Sequence, residues 1–337
     1  MKYALRRILV TIPLLLAVSL VVFALADSLP GDPATERFGL HANKEEVARW
    51  REVRGLDDPF FARWIRYVTG IVTRFDFDDS YIDDEPVGEL LFAKLQATFE
   101  LTVFALLIAI AVGATVGTLS ALYPRSLIDY FGNILALFGI SIPVFWLGML
   151  LIVFAVGTLG FGYSSNRYSP DVSVDGFWTH LYLFESLLRL KFDVFASAAK
   201  NLLLPALALS TIPMAVITRM TRSAMLEEMR KDYATTARAK GLPTHRVVLK
   251  HVLRNALIPI TTITGLQFGQ LLGGAVLTET VFNWPGLGTY IVNHGVEASD
   301  TPIIVGGILL VSTTFILVNL GVDLLYAVID PRIRHAS

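Results

Sequence analysis

Six stretches of uncharged, mostly apolar residues alternate along the chain with segments that carry its charges. A helix that crosses the hydrocarbon core of a bilayer needs roughly 20 such residues, because about 30 Å must be covered at about 1.5 Å per residue. The pattern therefore predicts an all-α membrane protein with six transmembrane helices. The predicted spans cover residues 8–26, 101–122, 130–159, 201–218, 255–278 and 301–322.

Two of these spans allow more than one interpretation. Span 8–26 follows a basic N-terminus and resembles a signal peptide, but its 19 uncharged residues exceed the roughly 7–15 of a signal core, so a retained anchor is favoured. Span 130–159 is longer than a bilayer requires and contains Pro143. We therefore expect this span to be kinked or to extend beyond the bilayer.

Basic residues are concentrated between the fourth and fifth spans. Segment 219–254 contains nine Lys and Arg residues against three acidic ones, and a short loop of this kind stays in the cytoplasm. With six spans, both termini then lie in the cytoplasm, including Arg332 and Arg334, and segment 28–97 lies outside. In that outer segment the acid-rich run 76–85 lacks the spaced ligands of a calcium loop and is expected to be a solvated surface.

Composition narrows the function classes. Hydrophobic residues make up 54% of the chain, and the absence of cysteine excludes disulfides and thiolate chemistry. The spans hold no ionisable residue, which argues against a proton-coupled transporter. Glu100, Asp129, Glu279 and Asp323 lie near span ends, where snorkelling or helix capping explains them. No Gly-x-Ser-x-Gly or His-Glu-x-x-His motif supports an intramembrane hydrolase, and a membrane scaffold stays an alternative.

The loop after the fourth span predicts two short helices. Asp232 is expected to N-cap a helix that ends at Gly241, where glycine can adopt the left-handed conformation that closes a helix. Pro243 then forces a bend, and Thr244 can cap a second helix that lies on the membrane. Pro259 marks the entry to the fifth span, where we expect it to kink the helix. The residues alone support two interpretations about equally: a segment that binds anionic lipid, and a docking element for another protein.

Several motifs resemble, in order, those of one family of membrane proteins. Ala237-x-x-x-Gly241 followed by Leu257-Ile258-Pro259 resembles the EAA loop of ATP-binding-cassette (ABC) importer permeases, although Thr235-Thr236-Ala237 stands where Glu-Ala-Ala is usual. Other motifs are similar to those of the B-type transmembrane subunits of dipeptide, oligopeptide and nickel permeases. These motifs lie at residues 5–13, 18–33, 141–145, 204–207, 279–288 and 323–332.

The resemblance implies a type I ABC importer permease fold with EAA-type coupling helices. Residues 1–27 would form the cytoplasmic N-terminus and first span, 28–97 an extracytoplasmic segment, and 98–337 the permease core with a cytoplasmic coupling loop at 219–259. This loop would dock on a cytoplasmic ATPase subunit. The residues that the resemblance assigns to ATPase coupling are Asp232, Ala237, Arg238, Ala239, Lys240, Gly241 and Leu242.

The same resemblance implies a multi-pass permease subunit of the cell membrane that is not itself an enzyme. No Gly-Lys dipeptide occurs, so the chain lacks a P-loop. No cofactor or metal is expected on this chain, and ATP and Mg²⁺ would be bound by partner subunits. The expected partners are a second, homologous permease subunit in a heterodimer, two cytoplasmic ATP-binding subunits and an extracytoplasmic substrate-binding protein.

A turn before the last span is a second candidate site. Glu279, Trp284, Pro285 and Gly286 are expected to form a gate or a contact with the binding protein, and structural capping of the fifth and sixth spans is the favoured alternative. The sequence does not distinguish dipeptides, oligopeptides, nickel complexes and oligosaccharides as substrates.

Overall fold

The computed structural model describes residues 2–28, 33–39, 43–160 and 165–329, and for residues 2–8, 36 and 323–329 it describes the backbone alone. Arg332, Arg334 and the side chain of Asp323 lie outside the described part. Regular structure in the described ranges is helical, apart from one isolated β-bridge between Asp79 and Pro86. The helices are α1 (Lys2–Asp27), α2 (Pro33–Phe38), α3 (Lys44–Arg54), α4 (Phe60–Arg74), α5 (Val87–Leu122), α6 (Leu127–Ser141), α7 (Val144–Gly157), α8 (Tyr182–Leu188), α9 (Phe192–Met229), α10 (Asp232–Ala239), α11 (Thr244–Arg246), α12 (Leu253–Phe282), α13 (Leu287–Tyr290) and α14 (Thr301–Ile329), with π-helical turns at Val247–Val252 and Ile291–Val296.

The prediction of an all-α membrane protein is confirmed, with five to six spans. Among the described residues, five helices are long and apolar enough to cross a bilayer, and α6 with α7 makes a sixth if the pair is one span. The helices extend past the predicted spans, because α5 has 36 residues and α9 has 38. Apolar composition marks the part of a helix that lipid can surround, and it does not mark where the helix ends.

The predicted irregularity of the third span is a break between two helices. The axes of α6 and α7 are bent by 107° at Ile142 and Pro143. Ile142 is extended, with a ψ of 125°, as expected for a residue that precedes proline. Pro143 also lacks the N–H that a continuous helix would need, so the 130–159 segment cannot form one straight helix.

The chain divides into two compact units, each with its own core. The first unit contains Met1–Thr98 and Asn283–Ile316, and the second contains Phe99–Phe282 and Leu317–Ser337. In the first unit, Phe23 of α1 and Tyr67 of α4 pack with Val305 of α14 in a buried apolar cluster. A neighbouring cluster joins the start of α5 to α13 and α14.

The second unit is built around α9, against which α5 and α6 pack closely. A methyl group added at Gly113, Gly117 or Gly139 would lie within 3.0 Å of a carbonyl oxygen of α9. Glycine is the residue that lets two helix backbones approach this closely, as in many membrane helix pairs. The small side chains on α5 and α6 therefore determine how near α9 can lie.

The segment that precedes α9 is held by two buried carboxylates of the second unit. Glu100 accepts hydrogen bonds from Arg167 Nη2 at 2.6 Å and from the Leu183 backbone N–H at 2.6 Å. Glu185 accepts from the Thr179 hydroxyl at 2.5 Å and pairs with Arg189 at 2.7 Å. Explaining Glu100 by snorkelling or capping was therefore wrong, because its carboxylate is buried in an ion pair. In the described part of this segment, the regular structure is the short helix α8.

Candidate functional site

The candidate coupling segment, residues 230–243, is a short helix between two bends. α9 ends at Met229, two residues connect it to α10, and α10 runs for eight residues from Asp232 to Ala239. The prediction that Asp232 caps this helix was wrong by one residue. Lys231 occupies the N-cap position and Asp232 is the first helical residue, where its charge still lies at the positive end of the helix dipole.

The C-terminal end of α10 is closed by Gly241, as predicted from the sequence. Gly241 has a φ of +74°, in the left-handed region. The backbone N–H of Gly241 donates to Arg238 O at 2.9 Å, and that of Leu242 donates to Ala237 O at 3.3 Å. This pair of bonds is the Schellman arrangement, which ends a helix and turns the chain sharply. Pro243 follows directly, so the helix cannot resume in line.

One face of α10 is buried in the second unit. Ala234 is fully buried, and Tyr233, Ala237 and Leu242 pack against the same apolar cluster. This cluster includes Met225 of α9 and the buried side chains at the start of the following helix, which are Val247, Val248, Val252 and Ala256. The coupling segment is therefore attached to both helices that flank it in sequence.

The other face of α10 is exposed. Arg238 and Lys240 make no ion pair among the described residues, and Ala239 between them is exposed, so a partner could approach the backbone closely here. Within the range 232–242, the exposed residues are Asp232, Thr235, Thr236, Arg238, Ala239, Lys240 and Gly241. The structure thus brings together the residues predicted for coupling, with Ala237 and Leu242 on the buried side and the rest on the open side.

A hydrogen-bonded link that the sequence analysis missed fixes the entry to α10. The Tyr233 hydroxyl donates to Glu228 Oε2 at 2.6 Å and also bonds the side chain of Asn255, near the start of α12. Lys231 Nζ lies 2.5 Å from Glu228 Oε1. We call Glu228, Lys231, Tyr233 and Asn255 the tyrosine link. The i,i+3 spacing of Glu228 and Lys231 could have been noticed in the sequence, but the contact between Tyr233 and Asn255 joins residues that are distant along the chain.

The link alters the titration of two of its members that lie outside the spans. The hydrogen bond to Glu228 raises the pKa of Lys231. Burial, together with the hydrogen bond to Glu228, raises the pKa of Tyr233. Both shifts favour the protonated forms, which are the Lys231 cation and the Tyr233 donor that the link requires.

A buried ion pair holds α9 about two turns before the coupling segment. Arg222 donates to both carboxylate oxygens of Asp129, at 2.6 and 2.8 Å, and Asp129 also accepts from the backbone N–H of Arg125 at 2.9 Å. Asp129 does make a capping contact in the first turn of α6, and its buried carboxylate also forms this ion pair with α9, which the sequence analysis did not predict. A bidentate pair of this kind constrains orientation as well as distance.

The helix after the bend differs from the prediction. Val247–Val252 is π-helical and leads directly into α12, so Thr244–Phe282 runs as one 39-residue helical stretch. The prediction of a separate helix that lies on the membrane was therefore wrong. Thr244 is the first helical residue and Pro243 its N-cap, which also corrects the predicted cap. Pro259 is the seventh residue of α12, and its role as a kink stays a prediction.

The second candidate site consists of buried side chains. Glu279 is fully buried in the last turns of α12. In the first unit, Trp284 is buried and its Nε1–H donates to Ala97 O at 3.1 Å, and Gly286 is buried beside a half-buried Pro285. This burial fits the capping alternative better than an open contact surface, and the gate or binding-protein role stays a prediction.

The acid-rich run 76–85 is paired with arginines of the first unit. Arg37 bonds Asp84, and Arg54 Nη2 lies 2.7 Å from Asp84 Oδ1. The hydrogen bond from Arg37 lowers the pKa of Asp84. Among the described residues, no group of three or more His, Asp or Glu side chains is arranged to hold a metal ion.

Comparison with known families agrees with this architecture. The family model described as the inner membrane component of binding-protein-dependent transport systems matches residues 109–335. The model for the N-terminal part of such membrane components matches residues 1–103. The chain therefore belongs to this family of inner membrane components, and it is a permease subunit of an ABC importer, as the sequence motifs indicated.

Individual relatives are similar over nearly the whole chain. The chain is 42% identical to the dipeptide transport system permease protein of Alkalihalophilus pseudofirmus, over 99% of this chain and 100% of that one. It is also 42% identical to the protein of the same description in Escherichia coli (strain K12), over 99% of each chain. The glutathione transport system permease protein of Salmonella paratyphi A is 39% identical over 99% of each chain.

A solved structure supports the fold. A chain of the MetNI methionine ABC transporter, in an inward-facing conformation, matches with a TM-score of 0.52 at 18% sequence identity. The match covers 72% of this chain and 97% of that chain. The type I importer fold expected from the motifs is thus confirmed.

Proposed function

We propose that this permease subunit carries short peptides and that residues 232–242 receive the force of a cytoplasmic ATPase. The observation that carries the second part is the two-sided construction of α10. Tyr233, Ala234 and Ala237 are packed on the bundle, whereas Arg238, Ala239 and Lys240 are exposed. An element that is rigidly held on one side and open on the other is suited to transmit a rigid-body displacement.

The tyrosine link supports transmission to both flanking helices. Tyr233 contacts Glu228 at the end of α9 and Asn255 near the start of α12. A push on α10 would therefore move two spans together and would not merely bend the loop. Such coupled movement of two helices is what alternating access requires of the subunit that lines the path.

The proposed assembly follows from membership of a binding-protein-dependent transport family. A substrate-binding protein outside and ATP-binding subunits inside are the partners that such a system needs. We propose that a second, homologous permease subunit completes the path as a heterodimer, and that ATP and Mg²⁺ are bound by the two ATPase subunits. The basic loop 219–254 supports a cytoplasmic position for the coupling segment and for both termini.

The names of the relatives support the substrate class. Relatives are described as permeases for dipeptides, di- and tripeptides, D,D-dipeptides and glutathione, which is itself a tripeptide. We propose peptides of two or three residues as the cargo. Uptake of labelled dipeptides and tripeptides, compared with a labelled pentapeptide and a nickel complex, tests this. Uptake of the pentapeptide or of nickel alone would contradict it.

Cross-linking tests the coupling role directly, because the chain contains no cysteine. Ala239→Cys places a single thiol on the exposed face of α10, and Val153→Cys places one on the exposed, apolar face of α7 as a matched control. We expect the thiol at position 239 to cross-link to the ATPase subunit and the thiol at 153 not to. If neither thiol cross-links to the ATPase in a complex that transports actively, the loop that contains α10 is better explained as a lipid-binding segment.

Substrate-stimulated ATP hydrolysis separates the importer from a scaffold. A complex containing this chain should hydrolyse ATP faster when the loaded binding protein is added. A scaffold subunit would leave that rate unchanged, and uptake that persists after ATP depletion would instead indicate a secondary transporter.

A further inference from the structure

The first unit contains a cavity at the level where two apolar helices end. Its volume is about 500 Å³. The walls come from the last turn of α1, from α3 and α4, and from residues 299–304 at the start of α14. The apolar run of α1 ends at Asp27 and that of α14 begins at Thr301, so the cavity lies at a membrane–water boundary.

The cavity is lined by more basic than acidic side chains. Five arginines line it, against the three aspartates Asp27, Asp76 and Asp78. Arginine presents up to five N–H donors in a planar fork that fits phosphate and carboxylate groups. The arginines are Arg51, Arg54, Arg63, Arg66 and Arg74.

Carboxylates orient these arginines without using all of their donors. Asp57 accepts from Arg51 and Asp58 pairs with Arg66, and neither aspartate lines the cavity. On the wall itself, Arg63 Nη2 donates to Asp27 Oδ1 at 2.6 Å. The Arg63 guanidinium is therefore held in place by Asp27, and its Nε–H points to no acceptor among the described residues.

Two buried donors on the wall have no acceptor in the structure. They are Arg63 Nε–H and the Tyr67 hydroxyl. These residues are one turn apart on α4, so both lie on the same side of the helix, and both line the cavity. A buried donor without an acceptor is destabilising, and a bound acceptor removes that cost.

We propose that this cavity binds an oxyanion, a phosphate or carboxylate group, through Arg63, Tyr67 and the neighbouring arginines. At this depth the phosphate of a phospholipid headgroup is one source of such a group, and a soluble anion is the other. None of the residues of this site belongs to the coupling segment, so the proposal does not depend on the proposed transport function.

Three variants of the full chain, purified with the partner subunits it retains, test the site. Tyr67→Phe removes one unpartnered hydroxyl and keeps the ring that packs in the core. Arg63→Gln removes the charge and the Nε donor. Arg49→Gln makes the same exchange at an exposed arginine of α3 that does not line the cavity, and it serves as the control.

Two measurements distinguish the sources of the anion. Native mass spectrometry of delipidated protein measures retention of phosphatidylglycerol and of diacylglycerol, which lacks the phosphate. Melting temperatures measured with inorganic phosphate and with acetate report soluble anions. We expect an affinity about tenfold weaker for Tyr67→Phe and for Arg63→Gln than for the wild type, because each loses a hydrogen bond to a charged group.

Each result decides the proposal. Retention of phosphatidylglycerol but not diacylglycerol, reduced in Tyr67→Phe and Arg63→Gln but not in Arg49→Gln, assigns a lipid phosphate to the site. Stabilisation by phosphate or acetate that the same two variants lose assigns a soluble anion. Equal behaviour of the wild type and all three variants in both measurements overturns the proposal and leaves a water-filled cavity.

Discussion

Gly241 is the residue on which the turn after α10 depends most directly. Its φ of +74° is favourable for glycine, and no atom lies within 4 Å of the position that a Cβ would occupy. A substitution here is therefore strained by the backbone alone and not by crowding. The left-handed conformation costs about 1–2 kcal/mol for other residues, and asparagine tolerates it better than most.

Gly241→Val should separate ATP hydrolysis from transport. The strain lowers the population of the closed turn by roughly 5- to 30-fold, so we expect peptide uptake to fall by several-fold while the complex still assembles and hydrolyses ATP. The measurement is uptake per ATP hydrolysed in proteoliposomes.

Gly241→Asn is the matched control, because asparagine adopts the left-handed region at lower cost. It should retain more uptake than the valine variant. Unchanged uptake in Gly241→Val, with normal assembly, would remove the closed turn from the coupling mechanism.

The hydrogen bonds of the Tyr233 hydroxyl lead to a second prediction for a single residue. Tyr233→Phe leaves the ring in the apolar cluster but removes the donor to Glu228 and the bond to Asn255. A hydrogen bond to a charged group contributes about 1.5–3 kcal/mol. We expect amide hydrogen exchange in residues 232–242 to become at least tenfold faster, measured by mass spectrometry. Tyr123→Phe, at an exposed tyrosine, should leave this exchange unchanged.

Among the elements, the contact between α5 and α9 depends on glycine. A Cβ added at Gly117 would lie 2.6 Å from the Thr218 carbonyl oxygen, which a real contact cannot accommodate without a backbone shift. We expect Gly117→Ala to lower stability by about 1–3 kcal/mol, as overpacking does. Thermal unfolding of the purified protein in detergent measures this loss.

The matched control for Gly117 is Gly273→Ala in α12, where no atom lies within 4 Å of the added methyl group. Because alanine favours helix over glycine by up to about 1 kcal/mol, this control should be neutral or stabilising. Equal loss of stability in both variants would show that the two helices are not packed as described.

Glu185 gives the stability of the segment before α9 a pH dependence. Burial alone would raise the pKa of this carboxyl, but hydrogen bonds from the Thr179 side chain and from the Thr179 and Trp178 backbone lower it to about 2, from an ordinary value of 4.5. A carboxyl with a depressed pKa in the folded protein stabilises the fold above its unfolded pKa, and this contribution is lost as the pH falls towards the folded value.

Glu185→Gln should therefore lower the melting temperature at pH 7, and the difference from the wild type should shrink between pH 4.5 and pH 2. Asp171→Asn, at an exposed carboxylate nearby in sequence, should differ little from the wild type at either pH. A constant difference across this range would mean that the Glu185 charge is not what stabilises the segment.

How far the elements could be predicted from the sequence depends on the kind of signal. Apolar runs located the spans, and Gly241 with Pro243 located the end of α10, because both act within a few residues. The continuity of Thr244–Phe282 could not be read from Pro259, because a helix can tolerate proline when neighbouring groups satisfy its backbone. The Tyr233–Asn255 contact and the Asp129–Arg222 pair join residues that are distant along the chain, and only the packing of the helices brings them together.

For the whole molecule, the basic prediction is that α4 and α10 face opposite sides of the membrane, with α10 in the cytoplasm. Single thiols can be placed at Ala62 on α4 and at Ala239 on α10, both exposed, in a chain without cysteine. A membrane-impermeant maleimide should label Ala62→Cys in right-side-out vesicles and Ala239→Cys in inverted vesicles. The reverse pattern would contradict the cytoplasmic position of the coupling segment.

The unbroken stretch Thr244–Phe282 has a mechanical consequence. At about 1.5 Å per residue, its 39 residues form a lever about 58 Å long, nearly twice the thickness of the hydrocarbon layer. If this stretch rotates as a rigid rod by about 10° about its end at Thr244, its other end at Phe282 moves sideways by about 10 Å. A small rotation at one end would therefore open a gap at the other end that is wide enough for a small solute.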